Sequence, residues 1–203
     1  MPRGRAAVRH SVMAEAHGSL FDPDLPDGFT YRPEFISPDE ETALVADVGG
    51  IEFSDFEMRG VVARRRVAFF GASYDAGRTD TPPIPEFLLP LRARIATWAG
   101  LDPAAFAMAL INAYPPGAPI GWHRDAPQYD MVAGVSLLTG CRMKFRPYVS
   151  PGAAGGARRV ATHELNLAPR SGYLMRGVAR ARYEHHIPAV AALRYSITFR
   201  TLR

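Results

Sequence analysis

A chain of 203 residues, 47% of them hydrophobic and 22% charged, is long enough for one substantial domain and has the make-up of a globular protein. Cys141 is the only cysteine and no apolar run approaches the length of a membrane span, which sets aside a disulfide-stapled module and a helical membrane protein. The formal net charge of +4 admits nucleic acid as a partner without requiring one. With no apolar signal-like segment near the start, the expectation is a cytoplasmic monomer with no membrane contact.

Residues 1–20 are basic, small and aperiodic and read as a loose tail. Ser37-Pro38-Asp39-Glu40 is a helix start, a capping box with proline at the first helical position, and the helix should stop at Gly49-Gly50. Arg64 to Tyr74 reads as a strand ending near Gly71. Its basic residues interleave with aromatics, so Arg65, Phe70 and Tyr74 offer phosphate contacts and stacking surfaces for bases; a plain strand with a charged entry fits equally well. Gly77 to Pro85 reads as a loop, and a helix follows from about Glu86 to Ala99, its stripe of Phe87, Leu88, Leu91, Ile95 and Trp98 belonging to the core.

From Met108 the pattern turns to strands. Met108, Leu110, Asn112 and Tyr114 share one face, and Pro115-Pro116-Gly117 then turns the chain. In Trp122-His123-Arg124-Asp125, the histidine and aspartate stand two apart, so on extended chain they project the same way and can take adjacent corners of one metal's coordination sphere. Trp122 beside them adds a stacking surface. A third ligand must come from elsewhere: His185 and His186 are candidates, His163 a weaker one. Two histidines and one carboxylate form the facial triad of non-haem iron(II) oxygenases; zinc accepts similar ligands but leaves the arginines described next unexplained. Val132–Leu138 and Arg142–Tyr148 alternate like barrel strands, Ser150–Arg159 is a Gly- and Ala-rich connection carrying Arg158 and Arg159, and Leu174–Gly177 reads as a strand and turn. Arg176, Arg180 and Arg182 form either a phosphate-facing rim or a solvated row.

The closing stretch, Leu193–Arg203, alternates strictly. Leu193, Tyr195, Ile197 and Phe199 make one face, and Arg194, Ser196, Thr198 and Arg200 the other. Facing inward, two unpaired guanidiniums would be costly, so an anion belongs between them, and the planar fork of arginine is shaped for a carboxylate. A small dicarboxylate held across this strand is the functional reading; a terminal edge strand with solvated arginines is the other.

Taken together, the ordered segments Leu110-Ile111-Asn112-Ala113-Tyr114, His123-Arg124-Asp125, Glu184-His185-His186-Ile187 and Arg194 to Arg200 resemble the AlkB family of iron(II)- and 2-oxoglutarate-dependent dioxygenases. The resemblance is firm over residues 105–203, the expected dioxygenase core. It is looser over 21–104, where two helices and a hairpin resembling the family's nucleotide-recognition hairpin are expected. It implies a mainly β protein with flanking helices (α+β), a double-stranded β-helix or jelly roll. It also implies iron(II) on His123, Asp125 and His185, and 2-oxoglutarate among Leu110, Asn112, Tyr114, Arg194, Ser196 and Arg200, with O2 as the second cosubstrate. Arg194 is expected at the distal carboxylate and Arg200 near the carboxylate beside the keto group. The implied activity is oxidative demethylation of N-alkylated bases in DNA or RNA, with release of formaldehyde, succinate and CO2. Two departures stand out: Ser196 where many members carry asparagine, and Pro127 where repair members often carry a base-reading carboxylate. The same chemistry on tRNA, a protein or a small molecule, or a catalytically silent nucleic-acid-binding jelly roll, are the other readings.

Overall fold

The computed structural model describes residues 25–58, 60–72, 81–150 and 161–203, so the expected tail, Tyr74, Arg158 and Arg159 lie outside the described residues. Eleven strands run through them: β1 (Phe29–Arg32), β2 (Ser54–Met58), β3 (Val61–Gly71), β4 (Phe106–Tyr114), β5 (Ile120–His123), β6 (Tyr129–Leu137), β7 (Cys141–Pro147), β8 (His163–Leu167), β9 (Gly172–Met175), β10 (Tyr183–Ile187) and β11 (Arg194–Leu202). They pair antiparallel into a seven-stranded sheet, β1-β9-β6-β11-β4-β3-β2, and a four-stranded sheet, β5-β10-β7-β8. This is the expected jelly roll. The stretch 21–104 contributes β1, β2 and β3 to the same sheet as the later strands.

Helix α1 (Pro38–Gly49) starts where the capping box placed it. The Glu40 backbone N–H donates to Ser37 Oγ, and the Glu40 carboxylate accepts from the Ser37 backbone N–H. Helix α2 (Leu89–Ala99) follows a 3-10 turn at Glu86–Leu88 and ends at Gly100. Both helices cover the outer face of the large sheet. Leu44, Val48, Leu88, Leu91 and Ile95 pack there against Ala68, Phe70, Ala109, Ile111, Val135, Ile197 and Phe199. Each such side chain contributes about 1.5–3 kcal/mol when fully buried. A second core fills the space between the sheets, built from Tyr114, Val132, Met143, Phe145, Leu167, Tyr173, Met175 and Ile187.

Strand β11 is the middle strand of the large sheet, not an edge, because β4 and β6 pair with it along its length. A third helix, α3 (Gly177–Arg182), begins at the end of the stretch read from sequence as a strand and turn. Among the described residues no helix is long and apolar enough to cross a membrane.

Candidate active site

With helices on one face of the large sheet, strict alternation sends every second residue of β11 into the jelly roll. Arg194, Ser196, Thr198 and Arg200 all point there; Arg194 is 1% exposed and Arg200 8%. Register extends this polar strip sideways. Tyr114, Asn112, Leu110 and Met108 of β4 stand opposite the four in turn, and Ser136, Gly134 and Val132 of β6 oppose Ser196, Thr198 and Arg200.

The imidazoles arrive from the small sheet. Strand β5 pairs with β10 so that His123 lies opposite His185, their ring centroids 4.1 Å apart. His123 Nδ1 lies 2.8 Å from the Gly121 carbonyl oxygen; as donor in that bond it leaves Nε2 with a free lone pair. Asp125 Oδ2 lies 3.7 Å from His185 Nε2. Its other oxygen, Oδ1, accepts from Arg200 Nε at 2.9 Å and Nη2 at 2.7 Å. The remaining nitrogen of Arg200, Nη1, donates to Thr198 Oγ1 at 3.0 Å, and that hydroxyl donates to the Leu110 carbonyl. Arg200 therefore fixes the carboxylate on the near side of the two imidazoles. Among the described residues no three such side chains already close on a single point as a finished cage; their approach is pairwise.

Electrostatics prepare these groups as ligands. Burial, followed by the neighbouring His123, depresses the His185 pKa to about 3, and burial likewise lowers that of His123, so both rings are neutral near pH 7. Burial pushes the Asp125 carboxyl up, but Arg200, His185 and His123 together outweigh it and hold it below the usual carboxylate range. Two neutral imidazoles and one carboxylate are the donor set that could hold a divalent first-row metal.

Arg194 sits apart from that cluster. Its Nε donates to Ser136 Oγ at 3.0 Å and its guanidinium lies 5.0 Å from the centre of the Tyr114 ring. Among the described residues its Nη1 is buried without a hydrogen-bond partner. A buried, half-satisfied guanidinium is expensive, and a carboxylate is the group that would satisfy it. Arg65 belongs to the same interior: buried, it donates from Nε to Asn112 Oδ1 at 3.2 Å and stacks over Phe56 at 4.4 Å. It is not a surface phosphate contact.

Other expected contacts fall elsewhere. Phe70 faces the helices and is part of their core, because Arg65, Val67 and Phe69 have the inward parity on β3 and Phe70 the outward one. Trp122 takes the opposite face of β5 from His123, its ring tilted by 31° against His186 at 5.1 Å and covered by Arg146 at 4.4 Å. His186 shares that outer face, its Nδ1 2.6 Å from the Ile120 carbonyl oxygen, and so leaves His185 alone to face inward on β10. His163 lies on β8, at the far edge of the small sheet from β5. Arg176 and Arg182 are exposed, whereas Arg180 is 4% exposed and donates from Nη2 to the carbonyls of Ala126 and Tyr129. It clamps the segment that follows Asp125, which rules it out as part of a rim. Nothing in a row of three arginines distinguishes that one; Ser136, by contrast, follows from the parity of β6 once its register with β11 is known.

The sequence profile of the 2OG-Fe(II) oxygenase superfamily matches residues 28–200. An Arabidopsis thaliana protein, "Alkylated DNA repair protein ALKBH8 homolog", is 28% identical over 191 residues, covering 84% of this chain and 54% of that one. The chain thus spans about half the length of that curated relative. Among solved structures, OsALKBH1 superposes with a TM-score of 0.67 at 15% identity, over 86% of this chain and 98% of that chain. A Pseudomonas putida prolyl-4-hydroxylase superposes with a TM-score of 0.57 at 14% identity, over 87% and 93%. These two share the fold. Members of the matched family are oxidoreductases that use iron(II), 2-oxoglutarate and O2. The chain belongs to the 2OG-Fe(II) oxygenase superfamily.

Proposed function

We propose that the protein is an oxidative demethylase of N-alkylated bases in nucleic acid, with iron(II) on His123, Asp125 and His185 and 2-oxoglutarate anchored by Arg194. The observation that carries the cosubstrate assignment is the bare, buried Nη1 of Arg194 on the strip that also carries Arg200 and Asp125. Bound iron with 2-oxoglutarate and O2 supplies oxygen insertion into a C–H bond: one oxygen atom enters the N-methyl group, the other enters succinate, and CO2 leaves. The resulting N-hydroxymethyl group then breaks its C–N bond to give formaldehyde and the restored base.

The chain's own residues bind, orient and exclude water. Arg194, held by Ser136, presents its free nitrogen to the distal carboxylate. Arg200 holds Asp125 in place with two hydrogen bonds, and in this reading it would lie near the carboxylate beside the keto group. Tyr114 and Leu110 stand opposite Arg194 and Thr198 on β4, and Asn112 is held in orientation by Arg65. The neutral imidazoles keep their lone pairs for metal. Support for a nucleic-acid substrate comes from the AlkB-type relatives and from the β2–β3 hairpin, which carries exposed Arg64 and Arg66. A base in a duplex would have to be flipped out to reach the interior.

Pro127 favours a second reading, the same chemistry on another substrate, because no carboxylate stands two residues after Asp125 to read a damaged base. The test is mass spectrometry of methylated DNA and RNA oligonucleotides incubated with iron(II), ascorbate and 2-oxoglutarate. Loss of methyl groups with formaldehyde release is expected, and His185→Ala should abolish it while remaining folded. Succinate formation with every methyl group retained would move the protein to the second reading.

A further inference from the structure

Tyr173 of β9 points into the jelly roll and is stacked on Phe29, with ring centroids 5.6 Å apart and 13° between the planes. Its register partner on β6 is Gly134, whose neighbour on the other side is Thr198 of β11. A β-carbon on Gly134 would collide with ring carbons Cε1 and Cζ and lie 2.6 Å from the tyrosine oxygen. The missing side chain at 134 is therefore a notch. It lets the Tyr173 ring lie across β6, hydroxyl foremost, toward the strand that carries Arg194, Ser196, Thr198 and Arg200.

The hydroxyl ends among charged groups. Burial first, then Asp125, raises its pKa, and Arg200 and Arg194 act on it in the other direction, so it stays protonated and available as a donor. Its shift comes from burial and neighbouring charges, with no hydrogen bond among the causes. Tyr173 is 8% exposed and its hydroxyl lies in the field of two guanidiniums, one with a bare nitrogen, so an anionic acceptor in the space between them would meet all three donors.

We propose that Tyr173 is a further cosubstrate-positioning residue, donating its hydroxyl to a carboxylate of 2-oxoglutarate from a seat that exists because residue 134 is glycine. The inference rests on the reading that the keto-diacid lies along β11. The experiment is calorimetric titration of 2-oxoglutarate into the manganese-loaded protein, for wild type, Tyr173→Phe and Arg194→Gln. Phenylalanine keeps the ring on its notch and removes only the donor. One hydrogen bond to a charged group corresponds to a loss of roughly tenfold or more in affinity, with manganese affinity and melting temperature unchanged. Gly134→Ala, which displaces the ring, should weaken 2-oxoglutarate as well. Adding Tyr173→Leu to it should restore the melting temperature but not the affinity. Wild-type affinity in Tyr173→Phe, with binding lost in Arg194→Gln, would overturn the role of Tyr173 alone. Wild-type affinity in Arg194→Gln would overturn the location of the diacid along β11 and this inference with it.

Discussion

Arg194 and Arg200 share one face of one strand yet are held in different ways. Arg200 is fully engaged by Asp125 and Thr198, whereas Arg194 keeps a buried nitrogen in reserve. Replacing Arg194 by lysine keeps the charge and removes the fork, so the 2-oxoglutarate concentration for half-maximal turnover should rise roughly tenfold or more; succinate formation against cosubstrate concentration measures it. The histidines give a pH prediction for metal-free protein. His185 takes up protons near pH 3 when folded and near its ordinary 6.5 when unfolded, and His123 shifts in the same direction. Protonation therefore favours the unfolded chain. The stability tied to neutral imidazoles is complete above about pH 6.5 and is lost as pH falls toward the folded value. Melting temperatures of chelator-treated protein should be flat above that pH and fall below it, less steeply in His185→Ala. Arg180→Met would strip the carbonyls of Ala126 and Tyr129 of their donor, costing about 2 kcal/mol or more in urea unfolding. The common inward face of Arg194 and Arg200 was readable because spacing of two on extended chain fixes a common face. The error at Phe70 was one of parity: a single residue separates the inward face of β3 from the outward one, and the adjacent positions 69 and 70 are both phenylalanine.

Strand β11 shows how far alternation alone carries. From Arg194 to Arg200 the two faces were correctly divided, although Leu193, read as packing material, precedes the strand and is exposed; whether the arginine face met solvent or interior depended on its neighbours in the sheet, which periodicity does not contain. Helix α1 was legible to the residue because its capping box is a local chemical device. Ser37→Ala should cost about 1 kcal/mol in thermal or urea unfolding. Strands β1, β2 and β8 and helix α3 had no such signal: each is six residues or shorter and owes its conformation to the strand or loop beside it. The end of β3 was legible for a backbone reason. Gly71 has φ near +79°, and a β-carbon there would strike the Ala107 carbonyl oxygen, so it marks where the strand must bend. Gly71→Ala should destabilise the fold by about 2 kcal/mol or more, with circular dichroism melts as the measure.

The two sheets divide the labour of the whole molecule. The large one, backed by helices, supplies the arginine strip proposed to hold the diacid; the small one supplies both imidazoles, and Asp125 comes two residues after its β5 strand. Metal and cosubstrate would thus join the two layers, and ligands that bind only the folded state raise its stability by mass action. The central claim is that His123, Asp125 and His185 hold one metal ion while Arg194 holds the far end of 2-oxoglutarate. A crystal structure of the protein with manganese and 2-oxoglutarate tests it most directly, through the anomalous signal of the metal. One manganese peak is expected among the two imidazoles and the Asp125 carboxylate, with a diacid reaching from it to the free nitrogen of Arg194. A metal bound elsewhere, or Arg194 left bare with the diacid on another surface, would contradict it.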